Sequence, residues 1–189
     1  MHFTIEAQNK IRSHIESVGT SAPIVALDGT AGNGFDTCFL AELVGKEGHV
    51  VAMDLQEDAV QITRKKLESL GWLERVDCIH DCHSNALRYL QPHGSNGLRV
   101  AMFNLGYLPL GNKEIITKRE TTIAALNAAI EVLVENGILS VLSYPGHAGG
   151  SDEHVAVEAW IEKVKKHARI ESYRDENNQL SPVLWLIFN

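Results

Sequence analysis

Three aspartates, Asp28, Asp54 and Asp81, each follow a short apolar run, and the first opens the stretch DGTAGNGFDTCFLA at residues 28–41. Carboxylates at strand ends can take up ammonium, hydroxyl or amino groups, and glycines let a backbone come close to a ligand. Gly29 and Gly34 have the glycine spacing of a phosphate loop, yet Phe35 and Asp36 stand where that loop needs Lys and Ser/Thr. Gly32 and Gly34 begin a dinucleotide fingerprint, but Thr37 replaces its third glycine. Asp28, Gly32 and Gly34 satisfy D-x-x-x-G-x-G, the turn that holds the methionine part of S-adenosylmethionine, a cationic and phosphate-free ligand. On that reading Asp28 receives the ammonium and Asp54 the two ribose hydroxyls, a device that NAD sites share. Asp81 either meets the adenine amino group or caps a short helix through Leu87.

A second chemical cluster follows the run LRVAMFN. In NLGYLPLGNK, Asn104 ends an apolar segment and Gly106, Tyr107 and Pro109 form a turn. The pattern resembles the [N/D]-P-P-[Y/F] loop of methyltransferases acting on amines, with Leu105 and Gly106 in place of the prolines. A neutral amine has one lone pair, which must face the methyl carbon in line with the departing sulfur. An Asn side-chain oxygen and the next backbone carbonyl can accept the two N–H hydrogens and so fix that lone pair. Tyr107 can stack on the base carrying the amine. The segment SYPGHAGGSDEH brings Tyr144, His147 and Gly149 towards the same edge, with His147 the expected proton acceptor and Glu153 the second choice or its orienter. The alternative is an ordinary helix start at Ser151, Asp152 and Glu153. CIHDCH (Cys78, His80, Cys82, His83) has no standard zinc spacing, so no metal is expected.

Groups at strand tips require strands in register and helices between them. PIVALD, HVVAMD, VDCIH, LRVAMFN, ILSVLSY, ARIESYR and PVLWLIF predict strands, alternating with helices near 35–44, 56–70, 119–135 and 152–167. That alternation implies an α/β fold with a mostly parallel sheet covered on both faces. RDENNQLS joins the last two strands without a helical pattern, so they are expected to form an antiparallel hairpin. The chain reads as one domain, 1–189, with an N-terminal helix over 1–20 and a core over 21–189. Phe3, Ile5, Ile11, Ile15 and Val18 are expected on one side of that helix, which either covers the cofactor or contacts RNA.

The 189 residues are sufficient for a sizeable core. No run approaches a membrane span and the start lacks a secretory h-region, so a cytoplasmic protein with no membrane association is expected. The three cysteines are odd in number and predict reduced thiols. A net charge of −7 excludes any global attraction to nucleic acid, leaving a local patch, Lys113, Lys118 and Arg119, to meet phosphates.

DGTAGNGFDTCFLA, NLGYLPLGNK with Thr117, Thr121 and Thr122, and YPGHAGGSDE resemble the bacterial family labelled putative rRNA methylase. It includes the Gram-positive-type enzymes assigned to the last step of 5-methylaminomethyl-2-thiouridine synthesis at the tRNA wobble position. The resemblance implies a seven-stranded class I methyltransferase fold and methylation of the primary amine of an aminomethyl-uridine. It also implies a cofactor site drawing on Thr30, Gly32, Asn33, Gly34, Asp36, Thr37, Gln56, His83 and Asn104. The expected substrate side is Tyr107, Lys113, Thr117, Lys118, Arg119, Tyr144, His147, Gly149 and Glu153, the partner a tRNA anticodon stem-loop, and the assembly open to a homodimer. The family usually has alanine where Gly29 stands, a side chain not expected to be essential and a departure that leaves the assignment intact. A methyltransferase acting on rRNA or a small molecule, and a nucleotide-binding module without methyl transfer, are the competing readings.

Overall fold

A computed structural model of the chain describes residues 3–19, 22–93, 97–106, 116–146, 150–178 and 180–189. The seven apolar runs become strands β1 (Val25–Asp28), β2 (His49–Asp54), β3 (Val76–His80), β4 (Leu98–Asn104), β5 (Leu133–Ser143), β6 (Arg169–Tyr173) and β7 (Val183–Phe188). They form one sheet in the order β3-β2-β1-β4-β5-β7-β6. The pairs from β3 to β5 are parallel, and β7 lies antiparallel between β5 and β6. The expected terminal hairpin is therefore present, with its second strand inserted into the sheet.

Six helices cover the sheet among the described residues: α1 (Phe3–Val18), α2 (Phe35–Val44), α3 (Glu57–Leu70), α4 (Ala86–Leu90), α5 (Arg119–Val132) and α6 (Gly150–Val164). Alternation along the strands divides the core into two layers. Ala26, Val50, Val100 and Leu186 pack with Ile11, Leu40 and Leu67 from α1–α3. Leu27, Val51, Ala101 and Ile187 pack with Leu90, Leu126 and Trp160 from α4–α6. β1 and β7 are buried throughout, which explains their unbroken apolar composition. No described helix is long and apolar enough to cross a membrane.

Several boundaries differ from the sequence expectation, α6 for instance ending at Val164 and not 167, and β5 beginning at Leu133. The helix expected to reach residue 135 stops at Val132, because Leu133 already pairs with Leu98 and Asn136 takes a left-handed φ of 60° that a helix cannot hold. In α1 the buried stripe is Phe3, Ala7, Ile11 and Ile15. Ile5 lies about 200° around the helix from Phe3 and is 52% exposed, and Val18 is half-buried.

Candidate active site

The carboxyl ends of β1, β2 and β4 and the turn after β5 open into a cavity of about 810 Å³, within the size range of small-molecule sites. Thr30, Gly32, Asn33, Asp36, Asp54 and Gln56 line one side. The glycine turn here is closed on itself. Gly29 N donates to Met102 O (2.9 Å), Thr30 N to Asp28 Oδ1 (3.1 Å), Ala31 N to Met53 O (2.8 Å), Gly32 N to Asp54 Oδ2 (2.8 Å) and Gly34 N to Ala31 O (2.7 Å). With those amides engaged and carboxylates beside them, the turn does not form a phosphate cradle. Gly34, at φ 76°, starts α2, and a Cβ there would stand 2.8 Å from Thr63 Oγ1. A Cβ on Gly29 would stand 2.2 Å from Phe103 Cε1, so Phe103 occupies the space that a side chain here would take.

The carboxylates divide their work differently from the sequence expectation. Asp28 is buried beneath the turn, where Thr37 Oγ1 donates to its Oδ2 at 2.6 Å, and it is not among the cavity-lining residues. Burial, together with the charges of Asp36 and Asp54, pushes its pKa up to about 7 against hydrogen bonds from Thr37 and Thr30. Asp28 thus braces the turn, and Asp36, in the first turn of α2, faces the cavity along with Asp54. Burial raises Asp36 also, against hydrogen bonds from Gln8 and Asn104. Asp54 is raised by burial while accepting the backbone amides of Gln56, Gly32 and Leu55.

A polar chain crosses the cavity wall from these acids. Gln8 Nε2 donates to Asp36 Oδ1 at 2.7 Å, the Asn104 side chain faces both Asp36 and Tyr144, and Tyr144 faces Thr4. Helix α1 therefore forms part of the wall, contributing Thr4, Ile5 and Gln8. A carboxylate only accepts, so the Asn104 group facing Asp36 is the amide NH₂, and Oδ1 is left as an acceptor. Asn104 N in turn donates to Thr30 Oγ1 at 2.7 Å, tying the two strand-end turns together.

Beyond Asn104 the chain is clamped by threonines. Thr117 N donates to Gly106 O (2.9 Å) and Gly106 N to Thr117 Oγ1 (2.8 Å). Thr117 Oγ1 donates to Glu153 Oε2 at 2.7 Å and Thr122 Oγ1 to Glu153 Oε1 at 2.6 Å. Glu153 is 3% exposed and is not a lining residue, so the structure places it as a brace for this segment and not as a proton acceptor in the cavity. Thr117 and Tyr144 do line the cavity, and Lys118 and Arg119 are exposed beside Thr117, Arg119 pairing with Glu120. Tyr107, Lys113, His147 and Gly149 lie outside the described residues.

Near β3, His83 lines the cavity and Asp81 does not. Asp81 accepts from Cys82 N (2.7 Å), Asn85 Nδ2 (2.9 Å) and Tyr89 Oη (2.8 Å), the arrangement of a helix start, and the bonds from Asn85 and Tyr89 hold it below its ordinary pKa. His83 Nδ1 lies 3.2 Å from Gly29 O. That carbonyl requires a proton on Nδ1, and burial lowers the ring's pKa, so the ring is neutral with Nε2 an acceptor. Gln8, Thr4, Leu55 and Leu180 also line the cavity without having been expected from the sequence. Nothing in their local pattern separates them from surface residues.

The sequence over residues 50–189 matches the family described as Putative rRNA methylase. A protein of Arabidopsis thaliana, "tRNA (mnm(5)s(2)U34)-methyltransferase, chloroplastic", is 39% identical over 142 residues, 71% of this chain. The chain spans about half (51%) of that relative's length. A crystallised putative rRNA-methylase from Clostridium thermocellum superposes with a TM-score of 0.87 at 36% identity, covering 97% of this chain and 95% of that one. A putative methyltransferase from Streptococcus mutans, crystallised in complex with SAH, gives 0.82 at 30% identity, covering 98% and 96%. The sheet order, the antiparallel β7 and these matches place the chain in the Putative rRNA methylase family, with the class I methyltransferase fold.

Proposed function

We propose that the chain is an S-adenosylmethionine-dependent methyltransferase that methylates the primary amine of 5-aminomethyl-2-thiouridine at the tRNA wobble position. The observation that carries this reading is the charge of the cavity. Asp36 and Asp54 line it and Asp28 lies beneath it, around a turn whose amides are largely engaged, a setting that favours a cation and disfavours phosphate. Asp54 and Gln56 would hold the ribose, Asp36 the ammonium, and His83 the adenine side. The SAH bound to the Streptococcus mutans relative and the name of the Arabidopsis relative support the same assignment.

When bound, S-adenosylmethionine supplies an electrophilic methyl group, whose bonding pair stays with sulfur as the amine nitrogen attacks. The protein's part is to orient and deprotonate the amine. With its NH₂ held by Asp36, Asn104 offers Oδ1 to one amine hydrogen and a following carbonyl accepts the other, leaving the lone pair directed at the methyl carbon. His147 accepts the proton that the amine must lose, while Glu153 keeps the segment after Asn104 in place through Thr117. Lys118 and Arg119, exposed beside the wall, contact the anticodon-stem phosphates.

Single-turnover methyl transfer to tRNA carrying the free aminomethyl group tests this reading. The expected product is heavier by one methyl at that nucleoside, with none on tRNA lacking the aminomethyl group. Asn104→Ala should fall about a hundredfold while binding S-adenosylmethionine nearly normally, the scale of one lost positioned polar group. A wild-type rate in that variant rejects the amine-orienting role, and cofactor binding without transfer to aminomethyl-tRNA rejects the substrate.

A further inference from the structure

At the end of the strands opposite the cavity, three side chains that no sequence motif links come together. His49 begins β2, Asp77 is the second residue of β3, and His93 closes the 3-10 turn Gln91–His93. His49 Nε2 and His93 Nε2 lie 2.9 and 3.3 Å from the same oxygen, Asp77 Oδ2. The two imidazoles stack at 3.9 Å between centroids and 20° between planes. One ligand atom from each residue falls within 4.8 Å of the others. A tetrahedral ion bound at about 2.0–2.1 Å has ligand–ligand edges of about 3.3 Å, close to both His–Asp separations. Among the described residues, Cys78, His80, Cys82 and His83 form no such group.

We propose that His49, Asp77 and His93 form a binding site for a divalent transition-metal cation, with Zn²⁺ as the ion their chemistry suits. Two imidazoles, which are borderline ligands, and one carboxylate oxygen make a donor set that Zn²⁺ accepts, and the exposure of Asp77 leaves a fourth position open to water. To bind, each ring presents Nε2 as a lone pair with its proton on Nδ1, and the rings splay out of their stack so that both lone pairs face the ion. Asp77, whose side chain is 49% exposed, is the ligand open to solvent, and the two rings are 22% and 23% exposed. The ion ties β2 and the edge strand β3 to the turn preceding β4, so its role is to secure this edge of the sheet, remote from the cavity.

The test uses the full chain, stripped with chelator and titrated with Zn²⁺ against a chromophoric competitor, with thermal unfolding in parallel. One equivalent should bind and raise the unfolding midpoint. His49→Gln, Asp77→Asn and His93→Gln should each weaken binding at least about tenfold, whereas the double variant Cys78→Ala, Cys82→Ala should keep it. His93→Gln, on a turn, carries the test if His49→Gln does not fold. No stoichiometric binding by the wild-type protein, wild-type affinity in the three variants, or loss confined to the cysteine variant would each overturn the site.

Discussion

The turn after β1 and the residues that follow β4 lie side by side at the rim of the cavity, joined by Asn104 N on Thr30, and are built by different means. The first is wired through its backbone: five of its amides, at residues 29, 30, 31, 32 and 34, donate to groups of β1, β2, β4 and the turn itself. The second is held by side chains at separate points, Asn104 N on Thr30 and Gly106 on Thr117, with Glu153 behind. A backbone-wired turn presents a fixed surface at no further ordering cost, which suits a ligand of one shape. Gly106 and Thr117, by contrast, depend on a few side-chain contacts, which single substitutions can remove. On the proposed function, this difference falls between the cofactor side and the substrate side, the first wired through backbone amides and the second through a few hydroxyl and carboxylate contacts.

Breaking the wired side should have the largest effect. Asp54→Ala removes both the acceptor proposed for the ribose and the brace on the Gly32 and Gln56 amides, and should cost about 2 to 4 kcal/mol of S-adenosylmethionine affinity by calorimetry. Unchanged affinity in a folded variant removes Asp54 from the cofactor site. Breaking the clamped side should leave cofactor binding intact. Glu153→Gln keeps one acceptor oxygen but turns an NH₂ towards the other threonine, so stability should fall by about 1 kcal/mol. Single-turnover transfer should fall about tenfold at unchanged cofactor affinity. Equal losses in cofactor binding and transfer would show that the two sides are not separable.

The smallest effect sharpens the electrostatic side of the comparison. Asp28 titrates near 7 in the folded protein and near 3.8 as an ordinary carboxyl. Between those values the folded chain keeps a proton that the unfolded chain has released, so this group's contribution to stability falls as pH rises across that window. A bound cation favours the ionised acids and expels the proton. S-adenosylmethionine affinity should therefore rise about threefold to tenfold from pH 5.5 to 7, below the range where an α-amino group deprotonates. Titrations in buffers of different ionisation enthalpy should show proton release, and a flat profile would mean that the cation does not sense these acids.

Much of the architecture was legible locally. β2, β3, β4 and α2 fall on the residues their apolar patterns predicted, since strand and helix periods are properties of neighbouring residues. The helix end misplaced by three residues lies where pairing with Leu98, a tertiary contact, competes with helix propensity. In the site, the glycine turn, Asp54 and Asn104 were legible because a strand end, a left-handed φ and an acid at a fixed spacing are local signals. Asp28 carried the same signal and yet lies under the turn.

The sequence by itself determined the strand and helix alternation, the acids at strand ends, and the absence of a lysine for phosphate in the glycine turn. Only the tertiary structure decided that Asp36 and not Asp28 faces the cavity, that Gln8 and Thr4 of α1 bond into its wall, and that Glu153 braces two threonines. It also brought His49, Asp77 and His93 to one point across 44 residues of chain. These outcomes depend on how helices rotate as they pack and on the register between strands. Both are settled by burial of the two core layers, to which residues far apart in sequence contribute together.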